Sequence, residues 1–284
     1  MYNILEGSKE VICLPITEER RAVLHEQDLQ RLRGFRLMDD DFLSAFFRDN
    51  IEDIEFVLRI ILDKPGLKVQ SVHAQHELKN LNGRSVRLDV HAIEDDGTEA
   101  DIEIQRDDRG AGFKRARHNS SLLDASILKS GQKPEELPET YVIFITETDV
   151  IGKDKAIYPI ERYISVDGEY IPVNDGAHTI YVNGAKQGSK TELEKLMHDF
   201  SCIKADDMYF SQLAEKMRYF KEDEKGVEAM CRVMEEMRTE TELATRIENA
   251  LEMIKGGKLS LEDIAQYSGL PLEKVRELAE EKSA

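Results

Sequence analysis

The stretch SVRLDVHAIEDDGTEADIEIQ, residues 85–105, decides the fold. Its first part alternates. Val86, Leu88, Val90 and Ala92 share one side and Arg87, Asp89 and His91 the other, the period of two expected of a half-buried strand. Glu94-Asp95-Asp96-Gly97-Thr98 is a turn signal. Residues 100–105 alternate again, with Ala100, Ile102 and Ile104 opposed to Asp101, Glu103 and Gln105. The spacing predicts an antiparallel hairpin centred on Asp96. That register sets Asp89 across from Glu103, Arg87 across from Gln105 and His91 across from Asp101, with facing Cβ atoms about 4.5–5.5 Å apart.

Two carboxylates that close repel, so a cation, a shared proton or a metal has to compensate. A hard divalent ion suits the pair. Mg²⁺ takes carboxylate and backbone oxygens, keeps several waters and usually accepts only one or two protein carboxylates beside substrate phosphates. Held there, it would polarise a phosphodiester and lower the pKa of an attacking water. Gln105 can hydrogen-bond a water or a phosphate oxygen but supplies no charge. Taken as a bare pattern, Asp89, Glu103 and Gln105 fit a solvated acidic sheet face equally well. His91 and Asp101 are predicted to face solvent.

Upstream, Phe42, Phe46, Phe47, Ile51, Ile54, Val57, Leu58 and Ile61 recur at helical spacing and predict one helix to about residue 62. Asp39-Asp40-Asp41 supply capping oxygens at its start, and Lys64-Pro65-Gly66 stops it. Residues 67–75 read as a further strand. Downstream, 109–128 reads as a helix. From 109 to 133 the basic residues are Arg109, Lys114, Arg115, Arg117, Lys129 and Lys133, against the single acid Asp124. Lys114 and Arg117 lie three apart and share a face. TYVIFIT (140–146) is a continuous apolar strand of the kind buried on both faces. Short strands are expected around 157–166 and 179–182.

After Gly188 the composition turns to Glu, Lys, Leu, Met and Ala, which predicts an α/β domain over 1–188 and a helical region over 189–284. Its last part, LSLEDIAQYSGLPLEKVRELAEE (259–281), has helix-turn-helix spacing with Gly269 at the turn. The second helix carries more acid than base, so packing or partner binding is expected of it rather than base reading.

The chain has 284 residues, with 39 Lys+Arg against 57 Asp+Glu and a net charge of -18. That excludes a protein embracing nucleic acid over its whole surface, and any such contact must rest on a local basic patch such as 109–133. Hydrophobic residues make up 40%, enough for a core, yet no run approaches the roughly 20 apolar residues of a membrane span. MYNILEGSKEV lacks the basic start and apolar run of a signal peptide. Three widely spaced cysteines, Cys13, Cys202 and Cys231, follow no metal-ligand pattern, and a reducing cytoplasmic location is expected. There is no phosphate loop, nucleophile elbow or H-E-x-x-H. His73 and His76 fall on different strand faces and do not form a ligand pair.

Asp39-x-x-Phe42-x-x-x-Phe46, GRSVRLDVHA (83–92), GTEADIEIQR (97–106), RARHNSSLLDASILKSG (115–131) and LPETYVIFIT (137–146), in this order, resemble the PD-(D/E)XK nuclease family transposases over roughly residues 30–190. The resemblance implies a mixed α+β fold, a restriction-endonuclease-like core whose mixed sheet is flanked by helices. It implies DNA as partner and Mg²⁺-dependent cleavage, with Mn²⁺ as a substitute. Asp89 takes the place of the motif Asp, Glu103 that of the (D/E) and Gln105 that of the Lys. Asp39 is the best match for a third acid from the first helix, with Asp41 and Glu55 as alternatives. Arg115 or Arg117 matches the arginine after the third strand, and with Lys114 forms the expected phosphate contact.

Two departures stand out. Gln105 removes the positive charge of the motif lysine. His118-Asn119 replace the aromatic pair common in relatives. The net charge of -18, Gln105 and the acidic C-terminal tail favour a second reading, a nuclease-fold module that binds DNA or protein without turnover. A third is a helical scaffold that oligomerises through residues 190–284.

Overall fold

The computed structural model describes residues 18–48, 50–78, 86–105, 111–128 and 131–281. They pack as two units: Arg31–Val227, and residues 18–30 with 228–281. α1 (Glu18–Gly34) begins in the second unit and ends in the first.

The predicted single helix is two, α2 (Asp40–Phe47) and α3 (Ile51–Ile61). The break has a local cause. Asn50 is extended and its side chain accepts the Asp53 N–H at 3.1 Å, the capping arrangement that an asparagine prefers to a helix interior. Asp39 precedes α2 but does not cap it, because its carboxylate turns back to the Arg36 N–H at 2.7 Å.

Strands follow as β1 (Val69–Leu78), β2 (Val86–Glu94) and β3 (Glu99–Gln105), then α4 (Phe113–Ile127) and β4 (Thr140–Thr146). β5 (Ile157–Ile160), β6 (Tyr163–Val166), β7 (Glu169–Pro172) and β8 (Ala177–Asn183) complete them. Six form one mixed sheet in the order β1-β2-β3-β4-β8-β5. β1–β2–β3 is an antiparallel meander, β3–β4 and β4–β8 are parallel, and β5 closes the edge antiparallel. All seven residues of β4 are buried, as its unbroken apolar run requires.

The hairpin register is the predicted one: Val90↔Ile102, His91↔Asp101 and Ala92↔Ala100. Gly97, at φ +89°, takes the left-handed position of the turn, and the Thr98 N–H donates to Asp96 Oδ1 at 2.9 Å. One face of the sheet carries Val90, Ala92, Ala100, Ile102, Ile143, Ile145 and Val182, all buried. On the other face α4 sets Ala116 and Leu123 against Val142, Phe144 and Tyr181.

The shift in composition after Gly188 marks the end of the strands, not the end of this packed unit. α5 (Glu192–Ser201) and α6 (Ser211–Glu222) belong to it. Phe200 of α5 lies 6.3 Å from Phe47, and Phe220 of α6 lies 5.9 Å from Phe46. Asp53 accepts from Gln212 (2.6 Å) and from Lys216 (2.9 Å), tying α3 to α6.

α7 (Glu224–Gly256) starts at the end of the first unit and continues into the second, where α8 (Leu261–Ser268) and α9 (Leu272–Glu281) follow. Ile264, Leu270, Val275 and Leu278 pack with Ala250 of α7, and Gly269 turns the chain at φ +70°. The helix-turn-helix-like pair therefore exists, and its apolar positions are spent on packing within its own unit. No helix among the described residues is long and apolar enough to cross a membrane.

Candidate active site

β3 delivers its acids to the face under α4. In parallel register Asp101 lies beside Val142 and Glu103 beside Phe144, and the α4 cluster contains both partners. Glu103 is 0% exposed and Asp101 likewise, while His91 is 4% exposed. The expectation that His91 and Asp101 face solvent is corrected: both side chains are buried, the polar stripe of the hairpin as well as the apolar one. His91 is held by Glu99, Nε2 to Oε2 at 2.7 Å, and its ring lies 6.4 Å from that of His73.

Glu103 is neutralised from the helix that follows its own strand. Arg115 donates to Glu103 Oε2 at 2.6 Å, and its guanidinium lies 5.9 Å from the Phe144 ring centre. The Arg115 side chain is 42% exposed, so this buried carboxylate meets solvent through a guanidinium. Tyr181 fixes the start of α4. Its hydroxyl donates to the Ala111 carbonyl at 2.9 Å, and its ring stacks on Phe144 at 5.3 Å. Burial pushes the Tyr181 phenol up to about 12, against the opposing pull of Arg115, which keeps it a donor.

α4 runs antiparallel to β3. Near its other end Asp124 accepts from the Thr140 hydroxyl at 3.0 Å, level with Glu99, and burial raises the Asp124 carboxyl above its ordinary value. Between these anchors sits Asn119, buried, its amide without a hydrogen-bond partner among the described residues. Sequence reasoning missed both Asn119 and the role of Arg115 toward Glu103. The available signal was an Arg and an Asn in the same stripe as Ala116 and Leu123, one turn apart.

The backbone of Asp89 is part of β2, next along the chain to Val90, whose partner Ile102 precedes Glu103 on β3. The side chains of Asp89 and Gln105 lie outside the described residues, as do Arg109 and Lys129. Lys114 and Arg117 are exposed on the first turns of α4.

Asp39 is nearly buried. It is bound by the Arg36 N–H, and Arg36 also reaches Glu147 at 2.8 Å, just past β4. It therefore lies at the carboxyl end of the parallel strands, the end toward which β3 carries Glu103 and Gln105. Glu55 is engaged elsewhere, accepting the Val69 N–H at 3.0 Å and pairing with Arg59 and Lys68. The Asp41 side chain lies outside the described residues.

A separate group, His198, Asp199 and Cys202, brings three ligand-type atoms within 4.8 Å of one another. Both Asp199 oxygens are taken by backbone N–H groups, Tyr209 at 2.7 Å and Phe210 at 2.8 Å. Burial pushes the Cys202 thiol up to about 11, with Asp199 and Asp207 adding to it. This is a structural knot joining α5 to α6.

A mixed sheet whose hairpin sets acids beneath a basic helix defines a nuclease-like α+β core. A family model described as PD-(D/E)XK nuclease family transposase matches residues 41–263, most of the chain, and the chain belongs to this family. No curated protein and no solved structure matches it.

Proposed function

We propose that the protein is a metal-dependent DNA endonuclease acting on recombining or mobile DNA. The observation that carries this reading is the buried Glu103 carboxylate, on the strand paired with the one that bears Asp89 and covered by Arg115 of a basic helix. The donor chemistry fits a hard divalent cation: carboxylate oxygens and no soft ligand. Asp89 and Glu103 would hold Mg²⁺, or Mn²⁺ in its place, with Asp39 as a third acid. The ion's contribution would be Lewis acidity toward a phosphodiester and a lowered pKa of bound water.

The chain's own groups do the rest. Gln105 orients a water or a phosphate oxygen through its amide. Lys114 and Arg117 take the DNA backbone, supplying locally the positive charge that the protein as a whole lacks. Arg115 holds the Glu103 carboxylate in place until a cation shares it. Its solvent-exposed guanidinium then sits at the mouth of the site, where a phosphate would arrive.

Plasmid nicking by the purified full-length protein tests this. Cleavage is expected with Mg²⁺ or Mn²⁺ and is abolished by Asp89→Ala. Cleavage by Asp89→Ala at the wild-type rate rules out the site assignment.

The complete burial of Glu103 favours one alternative, a nuclease fold that binds DNA or protein without turnover. Calorimetric titration with Mn²⁺ separates the two. A site lost in Glu103→Ala supports the hydrolase; no site in the wild type supports the binding module.

A further inference from the structure

The β6–β7 ribbon is chemically out of place on a protein surface. Its two strands pair with each other, and no third strand joins them among the described residues. The register Tyr163↔Pro172, Ile164↔Ile171 and Val166↔Glu169 sorts the side chains into two faces. Tyr163 and Tyr170 share one, with ring centres 6.5 Å apart. Ile164, Val166, Ile171 and Val173 share the other, with Arg162 at the root end and Glu169 at the turn end. Every one of these apolar side chains is between 40% and 72% exposed. An isolated two-stranded ribbon is marginal in water unless an apolar face is covered, and tyrosine tolerates a wet face far better than isoleucine or valine.

We infer that the aliphatic face of this ribbon is a self-association surface, covered by the same face of a second copy of the chain. Three observations select that occupant. The face is β-branched and free of charge at its centre, the kind of surface that stacks on another sheet at about 10 Å. Its ends are self-complementary in charge. A two-fold stack with the ribbons antiparallel brings Arg162, which also holds Asp175 at 2.8 Å, toward Glu169 of the second copy. Edge-to-edge pairing would leave the aliphatic face wet, and Pro172 removes a donor from the β7 edge.

The area sets the strength. Four half-exposed aliphatic side chains offer on the order of 350 Å² per protomer, below the roughly 800 Å² per partner of a standard stable complex. The dimer is therefore weak and reversible, and its population rises with protein concentration.

Sedimentation equilibrium of the full-length protein over a concentration series tests the inference. A monomer–dimer equilibrium is expected, weakened about tenfold or more by Ile171→Lys and left unchanged by Tyr170→Ser on the opposite face. Glu169→Arg weakens it, and adding Arg162→Glu restores it. Hydrogen exchange of the ribbon amides in the wild type slows as concentration rises, a readout that does not depend on any variant folding. A monomer at all concentrations overturns the inference. So does a dimer indifferent to Ile171→Lys, or one lost equally in Tyr170→Ser.

Discussion

Replacing Arg115 by Ala leaves a fully buried carboxylate without its guanidinium. Removing one partner of a buried pair costs about 3–5 kcal/mol. Two features of the structure reduce that figure. The Arg115 side chain is 42% exposed, so the pair is screened in the wild type, and water can follow the truncated side chain toward Glu103. The lost guanidinium–Phe144 contact, at 5.9 Å, adds back about 0.5 kcal/mol. The balance is a destabilisation of about 2 kcal/mol, or a fall in melting temperature of roughly 4–8 °C for a chain of this size. Urea denaturation of the wild type, Arg115→Ala, Glu103→Gln and the double variant reads the coupling directly. Glu103→Gln alone is milder, since the arginine it leaves behind reaches solvent, and the double variant recovers most of the Arg115→Ala loss. Under the proposed function, Mn²⁺ raises the stability of Arg115→Ala more than that of the wild type, because the competing cation is gone. A coupling energy near zero, with Arg115→Ala as stable as the wild type, refutes the role given to this pair.

Asp53→Asn strands the buried Lys216 ammonium and is expected to cost about 3 kcal/mol in chemical denaturation. Burial already holds the Lys216 pKa below its ordinary value against the pull of Asp53. The folded state thus sheds this proton before the unfolded state does, and this group's contribution to stability rises as pH climbs toward the ordinary lysine range. The deficit of Asp53→Asn should narrow from about pH 7 to about pH 10, and a deficit that widens contradicts the sign. Cys202, its thiol pushed up to about 11, carries roughly 100-fold less thiolate at about pH 8 than an unperturbed cysteine. Iodoacetamide followed by peptide mass spectrometry should label it only after denaturation; labelling at the rate of a free thiol counts against the burial described. Gly269→Ala forces a side chain into the left-handed turn between α8 and α9, at a cost of about 1–2 kcal/mol. Faster hydrogen exchange over residues 261–281 is the expected readout, and unchanged protection speaks against it.

The strands were the legible part of the sequence. Alternation about Asp96 gave the hairpin register to the residue, and an unbroken apolar run gave β4 from Thr140 to Thr146. Both signals are local, since period and turn chemistry lie within twenty-odd residues. What escaped depends on neighbours far along the chain. His91 and Asp101 alternate as solvent-facing residues do, and only the tertiary packing makes them buried. Arg115 belongs to a basic run that reads as a phosphate grip, yet the antiparallel passage of α4 over β3 brings it to Glu103. Asn50 interrupts a helical pattern whose apolar spacing continues through it, so periodicity outvoted the cap. The change in composition after Gly188 was real, but the phenylalanines of α5 and α6 complete the cluster begun by α2, and packing follows those rings rather than the charge.

The ribbon's place in the chain has a consequence of its own. β4 and β8 are parallel neighbours, so the chain must travel back between them, and β5 and the β6–β7 ribbon are carried on that return path. The sheet needs the return but not the ribbon, and the entropy of closing a loop changes only slowly with its length. A change in the length of this appendage therefore costs the sheet little, because the strands beside it keep their partners.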